Sequence, residues 1–139
     1  MAGTVSRRLP RLTDEQAALF LADNYAVVAT LRADGSPHQT ATWVDWDGEH
    51  VLFNITVTRK KYDELQLDPR VSVFVFDGDD WYTWVTVSGT ADMTLEAAEE
   101  HIHKLSRKYR GRDYVLKPGE QRVIVRVTPE RVTAYGFDS

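Results

Sequence analysis

The chain alternates short runs of β-branched and aromatic residues with tight polar turns, a pattern that predicts strands. Asp34-Gly35 and Asp47-Gly48 each separate two such runs, and Asp-Gly is a strong hairpin signal. The first three strands are therefore predicted to form an antiparallel meander. The predicted strands cover residues 25–31, 38–46, 51–57, 71–76, 81–93 and 121–127, and a seventh, after a break at Thr128-Pro129, covers residues 131–137.

Three helices are predicted before and between these strands. Thr13 and Gln16 have the spacing of a capping box, so a helix is expected over residues 14–23. A second helix follows the third strand and stops at Asp68-Pro69. The third has Thr94 as its N-cap and ends at Gly111. Six or seven antiparallel strands with short helices give a mainly β (α+β) fold, either a barrel or a sandwich.

Arg59-Lys60-Lys61, the basic segment, stands at the start of the second helix, where three cations are unusual. A helix N-terminus already carries partial positive charge and favours Asp or Glu in its first turn. Free backbone N–H groups together with extra cations make a site for an anion, most often a phosphate. The basic segment is therefore a candidate phosphate site. The alternative is that its cations are simply solvated.

Asn54, Thr56 and Thr58 are two residues apart and share one face of the third strand, which leads directly into the basic segment. A row of hydrogen-bonding side chains that leads to the cations of the basic segment suits an elongated ligand whose phosphate lies at the helix start. The alternative is the ordinary solvent-facing side of an antiparallel sheet.

Composition narrows the functional classes. The 139 residues suit one domain, assigned to residues 1–139, whose first eleven residues are expected to form a flexible arm (1–11). The net charge of −4 argues against nucleic acid as a partner. The lack of cysteine excludes disulfides, zinc–thiolate sites and a cysteine nucleophile. No apolar run approaches membrane-spanning length and no signal-peptide core is present, so a cytoplasmic protein is expected.

The histidines and acidic residues do not form a pattern that predicts catalysis. His101 and His103 are two apart on a predicted helix, so they point to different faces and do not suit a metal pair. His38 follows a turn and is expected at the surface. Residues 77–80 lack the downstream glutamate of a calcium loop and predict a hairpin turn. No metal site is expected, and no catalytic residue is assigned.

Several stretches resemble the split β-barrel flavin and deazaflavin oxidoreductases, the superfamily of pyridoxamine 5′-phosphate oxidase. Within it, the chain is similar to the actinobacterial branch that uses the deazaflavin coenzyme F420. Residues 27–38 are similar to the family's first hairpin, residues 59–72 to its phosphate-binding segment, and residues 81–91 to its long strand containing a glycine. The opening helix and the closing strands also fit, so the resemblance covers most of the chain.

The resemblance implies a six- to seven-stranded split β-barrel that forms a homodimer, with a cofactor in each groove between the subunits. It assigns Arg59 and Lys61 to the cofactor phosphate and leaves Lys60 outward. Glu64 departs from the neutral polar residue that relatives often carry, and a carboxylate near a phosphate is unfavourable unless it faces a cation. The implied site further includes Thr40, Ala41, Thr42, Asn54, Thr56 and Thr58 near the ring and its chain, with Trp81 contributed by the partner subunit.

The function that the resemblance implies is hydride transfer between reduced F420 and a small conjugated or unsaturated substrate. In such enzymes the cofactor carries the chemistry and the protein binds and orients it, which agrees with the lack of an acid–base pattern. Two alternatives remain open, an FMN-binding oxidoreductase of the same superfamily and a carrier that binds F420 without turnover.

Overall fold

The computed structural model describes residues 10–137, so most of the arm expected over residues 1–11 lies outside the described residues. The helices are α1 (Asp14–Leu21), α2 (Lys60–Leu67) and α3 (Ala98–Arg110). The strands are β1 (Ala26–Leu31), β2 (Pro37–Thr42), β3 (Asp45–Trp46), β4 (Val51–Thr56), β5 (Arg70–Asp77), β6 (Asp80–Thr94) and β7 (Arg122–Tyr135). All seven strands form one antiparallel sheet in the order β2-β1-β5-β6-β7-β4-β3, which confirms the predicted fold class.

The strand predicted over residues 38–46 is broken in two. β2 pairs with β1 and β3 pairs with β4, so the two pairings of the predicted meander are made by different pieces of the chain. Between the pieces, the Val44 N–H donates to the Tyr109 hydroxyl (3.1 Å) and the Lys108 ammonium donates to the Val44 carbonyl (2.5 Å). Because side chains of α3 satisfy this backbone, it does not join a ladder. β2 and β3 are the two edges of the sheet, so the short link of Trp43 and Val44 holds the sheet curled as a split barrel.

The two last predicted strands are one continuous strand, β7, which follows β6 along nearly its whole length. Instead of a break, the ladder has an irregularity between Ser88 and Gly89, where Gly89 pairs with Pro129 and Ser88 with Arg131. A β-carbon on Gly89 would lie 1.9 Å from the Thr128 carbonyl oxygen. Gly89 therefore marks a bulge at which the two backbones approach closely.

The start of α3 also differs from the prediction. Thr94 still pairs with Ile124 in the sheet, so β6 extends to this residue and the helix begins only at Ala98. The N-cap position is occupied by Ala97 in the left-handed conformation (φ 61°), while the Thr94 hydroxyl accepts from the Glu96 N–H (3.1 Å). The predicted end at Gly111 is confirmed, with φ 74° at this residue.

The core fills the inside of the curled sheet. Val28, Val73, Val125 and Phe53 point inward from four strands and are fully buried, and Phe20 of α1 closes the same cluster. Burial of each such side chain contributes about 1.5–3 kcal/mol. Outside this core, α3 packs on β4 and β7, and α2 packs on β1 and β4. None of the helices in residues 10–137 is long and apolar enough to cross a membrane.

Candidate functional site

α2 covers the place where the two ends of the curled sheet approach each other, which we call the seam of the split barrel. It contacts β1 and β4, which lie near opposite ends of the sheet. Leu65 is buried in the core and Tyr62, three residues before it, packs against the core, so this face of the helix points inward. The helix ends at Leu67 with Asp68 as its C-cap, also as predicted. The basic segment is therefore held at one end of the seam.

Lys61 is buried, with only 8% of its surface exposed. Its ammonium lies 5.9 Å from the centre of the Phe53 ring, and no carboxylate of residues 10–137 lies within ion-pair distance of it. Burial lowers the Lys61 pKa to about 8, with a further lowering from the Arg59 charge and an opposing effect of Glu64. A desolvated cation without a bonded anion is costly, so this position favours an anionic ligand.

The N-terminus of α2 adds to this preference. Arg59 occupies the N-cap position and no side chain of the described residues caps the helix. The first backbone N–H groups of a helix have no intrahelical acceptor and can bind an anion. Arg59 and Lys60 are both exposed, so the outward position expected for Lys60 is confirmed, whereas Arg59 is free to reach an anion at the helix start.

Glu64 is bonded to residues of β1 and β2. Its carboxylate accepts the Thr30 hydroxyl (2.6 Å) and both of its oxygens lie close to His38 Nδ1, at 2.9 and 3.1 Å. Burial raises the Glu64 pKa, but the hydrogen bonds from Thr30 and His38 and the nearby positive charges outweigh it, so the pKa is lowered overall. The carboxylate thus stays ionised against β1 and β2. His38, expected at the surface, is in fact a half-buried partner of α2.

Thr40 and Thr42, which were predicted to contact the cofactor ring, lie on the same face of β2 as His38. Thr40 pairs with Val28 and His38 with Thr30, so this face turns toward the inside of the barrel. The Thr40 hydroxyl is buried and has no hydrogen-bond partner among residues 10–137, whereas the Thr42 hydroxyl donates to the Trp43 carbonyl (3.3 Å). An unbonded buried hydroxyl is a place where a polar ligand atom would be favourable.

The row of polar side chains predicted along β4, Asn54, Thr56 and Thr58, does not form one continuous surface. The Thr56 and Thr58 hydroxyls are hydrogen-bonded to each other (2.9 Å), next to the basic segment. Asn54 lies on the face of β4 opposite to Phe53 and is buried beneath α3. Its amide nitrogen donates to the Ala98 carbonyl (3.0 Å), and its amide oxygen accepts from Arg122 (2.7 Å). Asn54 is therefore occupied by internal contacts and is not brought together with Lys61.

A buried polar cluster under α3 was not predicted. Asp45 lies 3.4 Å from His101 Nε2 and 3.0 Å from the Lys104 ammonium, and its other oxygen accepts from the Trp46 N–H (2.9 Å). Burial raises the Asp45 pKa, but His101, the Trp46 N–H and Lys104 lower it to about 2. Asn54 donates to His101 Nδ1 (3.1 Å), which leaves the His101 proton on Nε2, facing Asp45. The cluster ties α3 to β3 and β4.

The outer side of the sheet carries the remaining predicted residues. Ala41 is exposed there, in line with Val27 and Phe74, and Trp81 is 75% exposed at the start of β6. Trp81 is one of five aromatic residues whose rings contact one another in a row. We call this row the aromatic face, and its members are Phe74, Phe76, Trp81, Trp84 and Tyr135. A groove of about 370 Å³ continues this side and is lined by Ala29, Leu31, Ser72, Ser88, Arg70 and Arg131 among others.

Comparison with known proteins identifies the family. The sequence profile of pyridoxamine 5′-phosphate oxidase matches residues 12–136. The chain belongs to this family. The similarity of the chain to the pyridoxamine 5′-phosphate oxidase superfamily, inferred above from its motifs, is confirmed by this match.

Relatives of this oxidase-family chain include reductases. The F420H(2)-dependent biliverdin reductase of Mycobacterium tuberculosis is 27% identical over 124 residues, covering 88% of this chain and 87% of the relative. The solved structure of an F420 reductase is 30% identical with a TM-score of 0.78, covering 88% of this chain and 98% of that chain. A conserved hypothetical protein of Mycobacterium tuberculosis is 28% identical with a TM-score of 0.70, covering 94% of this chain and 89% of that chain. These matches support an oxidoreductase of the split-barrel type.

Proposed function

We propose that the chain is an F420-dependent oxidoreductase in which Lys61, Arg59 and the N-terminus of α2 hold the cofactor phosphate. The observation that carries this proposal is the burial of the Lys61 ammonium without a bonded carboxylate among the described residues. A phosphate at this position would neutralise the buried charge and accept hydrogen bonds from the helix start. The F420-dependent relatives named above support the choice of cofactor.

The chain's own residues then bind and orient the cofactor. We expect the buried Thr40 hydroxyl to hydrogen-bond a polar group of the ring, with Thr42 beside it on the same face of β2. Thr56 and Thr58 are placed to contact the chain next to the phosphate. When bound in reduced form, the deazaflavin supplies the hydride. A small conjugated or unsaturated substrate remains the proposed acceptor, and the biliverdin reductase among the relatives supports an acceptor of this kind.

We further propose that two chains associate through the outer side of the sheet. Large exposed apolar patches on soluble proteins mark interaction sites, and the aromatic face is such a patch. Ala41 and Trp81 lie on this side, so both residues would be buried between the two chains.

FMN is the second candidate cofactor, because the family profile is that of pyridoxamine 5′-phosphate oxidase. A fluorescence titration of the purified protein with F420 and with FMN separates the two. We expect micromolar F420 binding that Lys61→Ala abolishes. Lys60→Ala is the matched control, since Lys60 is an adjacent but exposed cation, and it should change the affinity by less than about threefold.

Three results would contradict parts of this proposal. Tight FMN binding without F420 binding would establish the FMN-dependent alternative. Equal losses in Lys60→Ala and Lys61→Ala would indicate a general charge effect instead of a built phosphate site. F420 binding without turnover across enones, quinones and tetrapyrroles would favour a carrier.

A further inference from the structure

The ring of His38 has a defined orientation. Both oxygens of Glu64 approach Nδ1, and Glu64 is itself fixed by the Thr30 hydroxyl. An ionised carboxylate can only accept hydrogen bonds, so Nδ1 carries a hydrogen and Nε2 points away from Glu64. Among residues 10–137, Glu64 is the one hydrogen-bond partner of the ring, so Nε2 is available to a ligand.

This ring adjoins the proposed phosphate site. Glu64 follows Lys61 by three residues on α2, so the two side chains lie on the same side of the helix. The Glu64 charge also acts on Lys61, since it opposes the lowering of the Lys61 pKa by burial. His38 also shares its face of β2 with Thr40, whose hydroxyl is buried and unbonded among the described residues.

We propose that His38, in its protonated form, is an additional donor to the anion held by Lys61, and that Glu64 is its positioning residue. This inference rests on the proposed function, because the anion is the cofactor phosphate or the chain next to it. Glu64 thus orients the imidazole and partly balances its charge instead of opposing the ligand.

The contact depends on pH because of the tautomer that Glu64 imposes. With a hydrogen on Nδ1, the second ring nitrogen, Nε2, donates a hydrogen bond only in the imidazolium. The charged groups around this site are Glu64 of α2, Arg32 in the turn after β1, and Lys61 and Arg59 at the start of α2. A bound anion and a protonated His38 stabilise each other, so we expect His38 to strengthen anion binding at low pH and not at high pH.

Side-chain NMR of the four histidines tests the first half of the proposal. Signals of His38 are assigned by their loss in His38→Gln, and its ring nitrogen signals are recorded at pH 6 with and without F420, FMN or inorganic phosphate. We expect a ligand that binds to move the Nε2 signal of His38, because this nitrogen donates to the anion. His50 is the internal control, since it is also half-buried and paired with a carboxylate, Asp47 (2.9 Å), but in another turn. Unchanged His38 signals in a saturated protein would refute the contact.

Affinity measurements test the second half. We expect His38→Gln to weaken F420 binding about tenfold at pH 6 and less than about twofold at pH 8.5, with Glu64→Gln giving a smaller loss in the same direction. The wild type and its variants share the ligand's own ionisation, so their ratio isolates His38. His50→Gln should match the wild type at both pH values. A loss of equal size at both pH values would show a merely structural role for His38.

The failure of this inference is distinguishable from failure of the proposed function. A wild type that binds neither F420 nor FMN overturns the proposed function. Binding that depends on Lys61 but is identical in His38→Gln at every pH overturns only the role of His38.

Discussion

The ammonium group of Lys61 lies 5.9 Å from the centre of the Phe53 ring, beneath the start of a helix that already carries positive charge. A cation over an aromatic face gains about 0.5–2 kcal/mol, which is less than the cost of removing an ammonium from water. Burial of the charged ammonium is therefore only partly offset by the aromatic contact, and it lowers the Lys61 pKa to about 8. This remaining cost supports the proposal that an anion binds at Lys61.

We expect Lys61→Met to raise the free energy of unfolding of the ligand-free protein by about 1–3 kcal/mol at pH 7, because it removes a buried charge. The gain should depend on pH. Between pH 8, the folded pKa, and pH 10.5, the ordinary value, the unfolded chain binds a proton that the folded chain does not. Wild-type stability therefore rises with pH relative to the variant, and the gain should shrink. Urea unfolding at pH 7, 9 and 10.5 measures it, and a gain that does not shrink contradicts the assignment.

Asp45→Asn should lower the free energy of unfolding by about 1–3 kcal/mol at pH 7, because His101 and Lys104 lose the carboxylate that they face. The Asp45 pKa is lowered from 3.8 to about 2. The stabilisation is thus fully present above pH 4 and is lost as pH falls through 2, so the variant and wild type should converge in acid.

The matched control for Asp45 is Asp92→Asn, which removes an exposed ion pair with Arg126 (2.7 Å). Exposed pairs contribute about 0–1 kcal/mol, so its effect should be small. Urea titrations from pH 2 to 7 compare the two variants. Equal effects would show that burial under α3 does not strengthen the Asp45 interactions.

Gly89→Ala should destabilise the protein by more than about 2 kcal/mol, because the added carbon would meet the Thr128 carbonyl oxygen at 1.9 Å. Gly78→Ala is the control, since the added carbon would meet only the Asn24 side chain, at 3.3 Å. Thermal unfolding of both variants measures the difference. Similar melting temperatures would mean that β6 and β7 separate easily at this position.

Trp84→Asp should convert a dimer into a folded monomer, because a carboxylate would be placed in the centre of the aromatic face, where Trp84 stacks on Tyr135 (6.2 Å). Val115→Asp is the control, as Val115 is 82% exposed and lies outside that face. Sedimentation velocity gives the oligomeric state, and near-UV circular dichroism checks the fold. A monomeric wild type would refute the proposed dimer, and a Trp84→Asp variant that stays dimeric would place the interface elsewhere.

Local signals in the sequence were reliable where neighbouring residues decide the structure. The capping box is present, with Gln16 N–H donating to the Thr13 hydroxyl (3.1 Å), and α2 stops at Asp68 as its proline predicts. The unusual charge at Arg59–Lys61 indicated the place where the structure buries a lysine. Motif order and spacing also led to the correct family.

The features that the sequence did not predict depend on contacts between residues far apart in the chain. Lys108 and Tyr109 bond the backbone of Val44, about 65 residues earlier in the chain, and break the strand that alternation predicts. His38 and Glu64 meet across the seam, and Asp45 and His101 meet under α3, although each pair is far apart in sequence. Spacing within a strand or helix carries no signal for such pairs. The roles of the predicted cofactor contacts remain predictions.

The position of β7 between β4 and β6 has a consequence for how the protein matures. While the chain emerges from the ribosome, β1 and β5 can find both of their partners and β6 can pair with β5, but β4 has only the two residues of β3 until residues 122–127 appear. Its apolar side chains, Phe53 and Ile55 among them, must wait for this late arrival. Pairings of such long sequence separation form slowly. We therefore expect the barrel to close only after synthesis of its final strand, and the seam that bears Lys61 to be the last part of the molecule to assemble.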